Sequence, residues 1–324
     1  MRERMTKNMS LSHSMGKAAS LLLVALTIGV LSACSIEDFA VRKISDMLSA
    51  SGGDSLVFTG EEDPELLGDA LPFALKVYEI LLERDPENTD LLLTTGQAFM
   101  LYAYAFVLTP AEMLPEESYE QSLQMKARAK KLFLRGRGYV LDALEIRHPG
   151  FRSAMNGEEW RAAIAATTEE DMPYLYWTGS AWLGAFSADS FDMELMVSLP
   201  RAVGLLDRVY EMEPDYDNGG LHELYVSYYG SLPESMGGGE DKARYHFERA
   251  LELTQGNKAG TYVALATAVT VPKQDYGEFK ELLGKALAVD LDAAASYRLQ
   301  NVLSQRKAEW LLEHADDYFL VTEE

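Results

Sequence analysis

The stretch ALKVYEILLERDP, residues 74–86, places apolar side chains three and four positions apart and ends at a proline. Its key residues are Ala74, Tyr78, Leu81 and Pro86. Residues at such steps share one face of an α-helix, whereas a half-buried strand would alternate at every second residue. Proline cannot continue a helix, so this one should end close to Pro86. The stretch therefore predicts an amphipathic helix that buries a small, an aromatic and a large apolar residue.

The same spacing returns at several places along the chain. In residues 202–214, AVGLLDRVYEMEP, a small residue is again followed by two large apolar residues and a proline at the same steps. Small residues let two helix backbones approach, and the large residues fill the gap beside them. Such repetition is typical of tetratricopeptide repeats (TPRs), in which each helix pair packs on the next. The repeated positions are Ala202, Leu206, Val209 and Pro214, then Ala243, Phe247 and Ala250, then Phe279, Leu283 and Ala286, and a degenerate copy ends at Pro149.

The helices that precede these copies carry glycines of their own. Gly96 is followed by Phe99, and Gly179 is followed by Trp182. Glycine at these positions predicts close contact between neighbouring helices. We therefore predict an all-α chain, an irregular TPR-like array of helix pairs with a right-handed superhelical course. An ordinary helical bundle is the alternative, because the copies are unevenly spaced and insertions such as LTPAEMLPEESYE intervene.

The N-terminal region has the features of an export signal. The apolar run LLLVALTIGVLSAC, residues 21–34, follows four basic residues and is shorter than the ~20 residues of a membrane span. Its end, LSAC, resembles the bacterial lipobox, after which cleavage leaves an acylated cysteine as the first residue. We predict a cleaved lipoprotein signal peptide and lipidation of Cys34, the only cysteine. The alternative is an ordinary cleaved signal with an incidental cysteine.

These features divide the chain into three predicted parts. They are a signal peptide (1–33), a lipidated N-terminal anchor helix with a spacer (34–60), and a TPR-like α-helical domain (61–324). The formal net charge of the chain is −22, which excludes nucleic acid and anionic lipid headgroups as electrostatic partners. Contact with a membrane is therefore expected through the acyl anchor alone. A single cysteine also excludes a disulfide within the chain.

Catalytic and metal-binding patterns each fail at a defining residue. His222-Glu223 begins a zincin HExxH motif, but Val226 stands where the second histidine must bind zinc. Gly136 and Gly138 open a dinucleotide-like motif that lacks its third glycine and a preceding strand. The other histidines show no ligand spacing and are expected to be structural. We predict no enzymatic activity, no metal and no cofactor.

Aromatic clusters are the remaining candidates for a functional surface. They fall on or near the first helices of the predicted pairs, which line the concave face of a TPR array. Tyrosine and tryptophan combine apolar area with a polar tip and are common at binding surfaces. Core packing is the alternative for each of them. The predicted partner or ligand surface comprises Tyr102, Tyr104, Phe106, Tyr176, Trp177, Trp182, His222, Tyr225, Tyr228 and Tyr229.

Several blocks of the chain, taken in order, resemble one family. They are residues 62–107, 174–186, 221–257 and 298–319, and they include the turn PESMGGG at 233–239. These blocks are similar to the T component (TatT-like) of tripartite ATP-independent periplasmic (TRAP) transporters. The resemblance implies a non-enzymatic, periplasm-facing lipoprotein of degenerate TPR-type helix pairs. No catalytic motif comes with it.

The resemblance also implies partners. It implies self-association as a homotrimer, docking of the periplasmic TRAP substrate-binding protein, and an aromatic-lined groove or pore for a small organic ligand. Because Ser35, and not an aspartate, follows Cys34, anchoring in the outer membrane is favoured over the inner membrane. Two other functions stay open: a general TPR lipoprotein scaffold in envelope assembly, and an envelope hydrolase with an unrecognised motif.

Overall fold

The computed structural model describes residues 56–320, and every regular element in that range is helical. The all-α prediction is confirmed, while the right-handed superhelical course stays a prediction. The signal peptide, Cys34 and the anchor helix lie outside the described residues. The helices are α1 (Leu56–Thr59), α2 (Pro64–Arg84), α3 (Thr89–Ala103), α4 (Thr109–Glu112), α5 (Tyr119–Arg147), α6 (Phe151–Asn156), α7 (Trp160–Ala165), α8 (Met172–Ala188), α9 (Met193–Met212), α10 (Gly220–Ser231), α11 (Glu240–Thr254), α12 (Ala259–Leu265), α13 (Val271–Lys273), α14 (Tyr276–Leu287) and α15 (Arg298–Glu313).

Helix α2 contains the opening stretch and follows its spacing. The carboxylate of Asp63 accepts a hydrogen bond from the first turn, and Pro64 occupies a position where no N–H is needed. The helix ends at Arg84, just before the proline that was expected to stop it. Tyr78 and Leu81 are buried. The face predicted from the spacing is therefore the face that packs on the rest of the protein.

Glycines mark the closest approaches between helices. A Cβ atom at Gly136 of α5 would lie 2.9 Å from the carbonyl oxygen of Gly96 in α3. A Cβ atom at Gly179 of α8 would lie 2.8 Å from Leu206 Cγ and 3.0 Å from the carbonyl oxygen of Ala202 in α9. All three distances are too short for an unstrained Cβ contact, so the close contacts predicted at Gly96 and Gly179 are confirmed.

Two large apolar cores meet at α10. The first core extends from α2 to α10 and includes Leu144 and Leu206. The second extends from α10 to Phe319 and includes Phe279. Tyr225 belongs to the first core and the next residue, Val226, belongs to the second. Helix α10 therefore joins the two halves of the described chain through neighbouring faces of one turn.

The last long helix lies against the first ones. Arg306 of α15 forms an ion pair with Glu65 at the start of α2. Leu67 and Leu299 pack together in a third, smaller apolar cluster. Helix α15 also contacts α1. The last long helix of the described chain therefore packs against the first two helices.

One segment of the described range has the length and composition of a membrane span. It is Thr89–Glu112, with 24 residues and a mean hydropathy of 1.6, and 61% of its apolar window is buried inside the protein. It comprises α3, a π-helical turn at Tyr104–Leu108, and α4. A mostly buried apolar helix of this kind is also what the core of a globular domain contains.

Candidate functional site

The ten predicted surface residues differ widely in exposure. Tyr104 is the most exposed of them, with 54% of its surface accessible. Four are buried: Tyr176, Trp182, His222 and Tyr225. Tyr102, Phe106, Trp177, Tyr228 and Tyr229 are partly buried. The predicted lipidation site, Cys34, lies outside the described residues.

Trp182 is held inside the first core by polar contacts. Its indole N–H donates a hydrogen bond to the Ser198 hydroxyl at 3.0 Å. The guanidinium of Arg137 lies 4.3 Å from the centre of its ring, and burial lowers the pKa of Arg137 to about 10. A satisfied N–H and a stacked cation are typical of a buried tryptophan that positions neighbouring helices.

His222 and Tyr225 belong to a buried polar cluster between α9, α10 and α11. The Nδ1 atoms of His222 and His246 are 2.8 Å apart, so one imidazole donates to the other. The Tyr225 hydroxyl donates to Asp207 at 2.8 Å. Burial lowers the pKa of His246 to about 4 and raises the pKa of Asp207. The cluster therefore keeps both imidazoles neutral near pH 7.

Metal binding by this cluster is not indicated. Within residues 56–320 no group of three or more histidine, cysteine, aspartate or glutamate side chains is arranged to hold a metal ion. The Nε2 atom of His222 lies 3.6 Å from Asp215, on the side of the ring away from His246. The rings of Tyr210, Tyr225, Tyr229 and Tyr245 pack around the two histidines.

Charged side chains from three other helices act on Tyr104. The positive charge of Lys307 lowers the pKa of Tyr104. Burial and the negative charges of Glu112 and Glu223 raise it by more, so the pKa lies above its ordinary value. These three charged residues come from α15, α4 and α10, so groups from separate helices surround a ring that is half exposed to solvent. Lys307 Nζ is 2.8 Å from a carboxylate oxygen of Glu112, which ties α15 to α4. Charged groups from three helices therefore act on a ring that is half exposed to solvent.

Glu223 of α10 contacts residues of α12 and α15. Its carboxylate accepts hydrogen bonds from Gln300 Nε2 at 3.3 Å and from Thr261 Oγ1 at 3.4 Å. Burial raises the pKa of Glu223, and the positive charge of Lys258 acts in the opposite direction. The negative charge of Glu223 in turn contributes to the raised pKa of Tyr176 in α8, after burial and Asp217. We call the space bordered by Tyr104, Glu112, Glu223, Thr261 and Lys307 the interior site.

Sequence reasoning did not select Glu223 for this position. In the sequence it was only the second residue of an incomplete HExxH motif. Consecutive residues of a helix are rotated by about 100° around its axis. His222 is therefore buried in the polar cluster between α9 and α11, whereas Glu223 contacts Thr261 of α12 and Gln300 of α15. The only local signal for Glu223 in the sequence is that it directly follows His222 within the same predicted helix.

Comparison with known proteins identifies the family. A family model described as the TRAP transporter T component matches residues 60–319. The chain belongs to the TRAP transporter T-component family. A protein of Treponema pallidum (strain Nichols), named only as uncharacterized, is 36% identical to this chain over 267 residues, which are 82% of this chain and 83% of that protein. The predicted family is thereby confirmed.

The family match covers all of the long helices of this T component. It begins at residue 60, before α2, and ends at residue 319, after α15. The family is one of transporter accessory components and not of enzymes. The interior site and the ten aromatic and histidine positions lie within the matched range, and their role in partner or ligand binding stays a prediction.

Proposed function

We propose that this T component is a periplasm-facing lipoprotein scaffold of a TRAP-type solute transporter. In this proposal, Cys34 carries the acyl anchor, in the outer membrane and not the inner one, and the helical domain extends into the periplasm. The helix pairs follow a TPR-like, right-handed superhelical course. The domain docks the periplasmic substrate-binding protein and performs no catalysis. The family match over residues 60–319 carries the proposal.

Self-association is part of the same proposal. Leu66, Phe73 and Ile80 of α2 are exposed by 60%, 76% and 60%, and they follow each other at seven-residue steps. Such a stripe repeats the heptad spacing with which one helix packs along another. Exposed apolar stripes of this kind are typical of protein interfaces. We assign this stripe to contact between copies of the chain, with the trimer as the proposed assembly.

The interior is the proposed place for a small organic ligand. The half-exposed ring of Tyr104 and the aromatic side chains around Tyr176 provide apolar walls. Polar groups from α10, α12 and α15 converge at Glu223. Ligand sites commonly combine aromatic side chains with a few convergent polar groups.

Affinity capture distinguishes this function from envelope scaffolding. Tagged full-length protein would be crosslinked mildly in its native envelope, extracted in detergent, and its partners identified by mass spectrometry. The proposal expects a TRAP substrate-binding protein in stoichiometric yield. Repeated capture of envelope-assembly factors without a solute-binding protein would favour the general scaffold instead. An untagged strain and a tagged, unrelated lipoprotein serve as controls.

A further inference from the structure

The carboxylate of Glu223 lacks a close cationic partner in the interior site. Among residues 56–320, its hydrogen-bond contacts are two neutral donors, at 3.3 and 3.4 Å, which are long for charge-assisted bonds. Carboxylates inside proteins are usually paired or bound by several strong donors. Glu223 therefore retains capacity to bind a further donor.

The two nearby lysines are engaged elsewhere. Lys307 forms its ion pair with Glu112 at 2.8 Å. The ammonium of Lys258 lies 4.8 Å from the centre of the Tyr297 ring, where a cation–π contact holds it. Within the described residues neither lysine forms an ion pair with Glu223, although the positive charge of Lys258 lowers the pKa of Glu223.

A glycine lets α12 pack directly against the Glu223 carboxylate. A Cβ atom at Gly260 would lie 2.6 Å from Glu223 Oε1 and 3.2 Å from Ser304 Oγ. Gly260 therefore covers one side of the carboxylate, and Glu223, which stays partly exposed, can be approached from another side. The Ser304 hydroxyl adds a second polar group at the same place.

Tyrosine rings add aromatic surface. The ring of Tyr104 is half exposed, and the charge of Glu223 contributes to the raised pKa of both Tyr104 and Tyr176. The face of an aromatic ring attracts cations, and a carboxylate beside such rings is a common way to bind organic ammonium groups. The formal net charge of −22 also favours the approach of a cation.

We propose that the interior site binds an organic cation, a protonated amine with an apolar substituent, which donates to Glu223 and packs against the ring of Tyr104. This assignment rests on the proposed function, because it specifies the chemistry of the ligand that the interior would take. A compact primary ammonium group matches the single available carboxylate. The apolar substituent matches the aromatic walls.

Three related small molecules test whether the interior site prefers a cationic, a neutral or an anionic ligand. Benzylamine, benzyl alcohol and benzoate have the same ring and are cationic, neutral and anionic at pH 7.5. Their binding to the detergent-solubilised lipoprotein would be measured by ligand-observed NMR and by calorimetry. The proposal expects saturable binding of benzylamine, with benzyl alcohol weaker and benzoate weakest. Equal or tighter binding of benzoate, or no saturable binding of benzylamine at millimolar concentrations, would overturn it.

Two variants test the residues. Glu223→Gln keeps the shape but removes the charge, and it should weaken benzylamine binding about tenfold or more, since a hydrogen bond to a charged group is lost. Tyr104→Leu should weaken it about threefold through loss of the ring face, and at a half-exposed position it should leave the fold intact. Glu211→Gln, at an exposed carboxylate paired with Arg208, is the matched control and should change nothing. Unchanged binding by folded Glu223→Gln protein contradicts the assignment.

The capture experiment separates this inference from the proposed function. If the substrate-binding protein is captured but benzylamine does not bind, the assignment of the ligand is wrong and the transport role stands. If benzylamine binds through Glu223 but no solute-binding protein is captured, the interior site stands and the transport role fails.

Discussion

The imidazoles of His222 and His246 face each other with their Nδ1 atoms 2.8 Å apart, in the cluster that joins α9, α10 and α11. A pair at this distance can share only one proton between the two Nδ1 atoms, and protonation of both rings would place two positive charges in contact. Burial, together with the charge of His222 and Lys242, lowers the pKa of His246 to about 4. The junction between the two apolar cores therefore depends on neutral histidines.

This relationship predicts acid sensitivity. In the unfolded chain His246 titrates near the ordinary value of 6.5, whereas in the folded chain its pKa is about 4. As pH falls below about 6.5 the unfolded state binds a proton first, so stability is present above that pH and is lost toward pH 4. The free energy of unfolding should fall by about 2 kcal/mol between pH 7.5 and pH 5 from this group alone.

Thermal or urea unfolding as a function of pH checks this prediction. The variant His246→Phe fills the same aromatic cluster without a titrating group, so its stability should change less between pH 7 and pH 5 than that of the native chain. A pH profile for His246→Phe identical to the native profile would assign the acid sensitivity to other groups whose pKa is lowered in the folded chain, such as His222 or Asp215.

Two glycines of one helix should respond differently to the same substitution. Gly136→Ala places a Cβ 2.9 Å from the carbonyl oxygen of Gly96 and 3.2 Å from Phe99 Cβ, whereas a Cβ at Gly138 meets nothing within 4 Å. We expect Gly136→Ala to destabilise the protein by about 1–3 kcal/mol through overpacking. Gly138→Ala should be neutral or stabilise it by up to about 1 kcal/mol, because alanine favours helix. Equal effects in urea unfolding would show that α3 and α5 do not approach as described.

The apolar stripe on α2 predicts a specific loss of self-association. Phe73→Ser removes an exposed ring and should lower the association constant at least about tenfold, since burial of a large aromatic side chain contributes about 1.5–3 kcal/mol. The fold should be preserved because the side chain is 76% exposed. Sedimentation velocity on the detergent-solubilised protein measures the effect. The control is Phe191→Ser, at a phenylalanine that lies outside the stripe and is 89% exposed. An equal loss of self-association in both variants would show that the stripe on α2 is not the contact between copies.

The proposed anchor predicts the behaviour of a single substitution. Cys34→Ser removes the thiol that would be acylated, so the protein should leave the membrane fraction. Without an acyl chain the acidic domain has no attraction to anionic headgroups. Cell fractionation and mass measurement of the native N-terminus check this. Continued membrane association of Cys34→Ser protein would contradict anchoring through this residue.

The helices and their buried faces could be predicted from the sequence because they depend on local spacing. Ala202, Leu206 and Val209 are fully buried, as are Phe279 and Leu283, and each set was recognised from steps of three and four residues. Short-range periodicity defines which side of a helix is apolar, and a helix cannot bury that side without a neighbour. This much follows before any tertiary contact is known.

The interior site could not be predicted in the same way. Glu223 meets Gln300 across 77 positions of sequence, and Arg306 meets Glu65 across 241. Such contacts depend on how unevenly spaced helices stack, which local periodicity does not encode. The same limit applies to His222 and Tyr225: aromatic and polar residues on a first helix can face a groove or the core. Only the packing of α9 and α11 against α10 places them in the core.

Direct binding of the TRAP substrate-binding protein is the sharpest test of the proposed docking function. The purified full-length lipoprotein would be titrated with the substrate-binding protein that the same native envelope contains, and the heat of binding would be measured by calorimetry. A solute-binding protein of an unrelated transporter serves as the control. We expect saturable binding with one substrate-binding protein per copy of this chain and no binding of the control. Absence of saturable binding by folded, self-associated lipoprotein would exclude the proposed docking function.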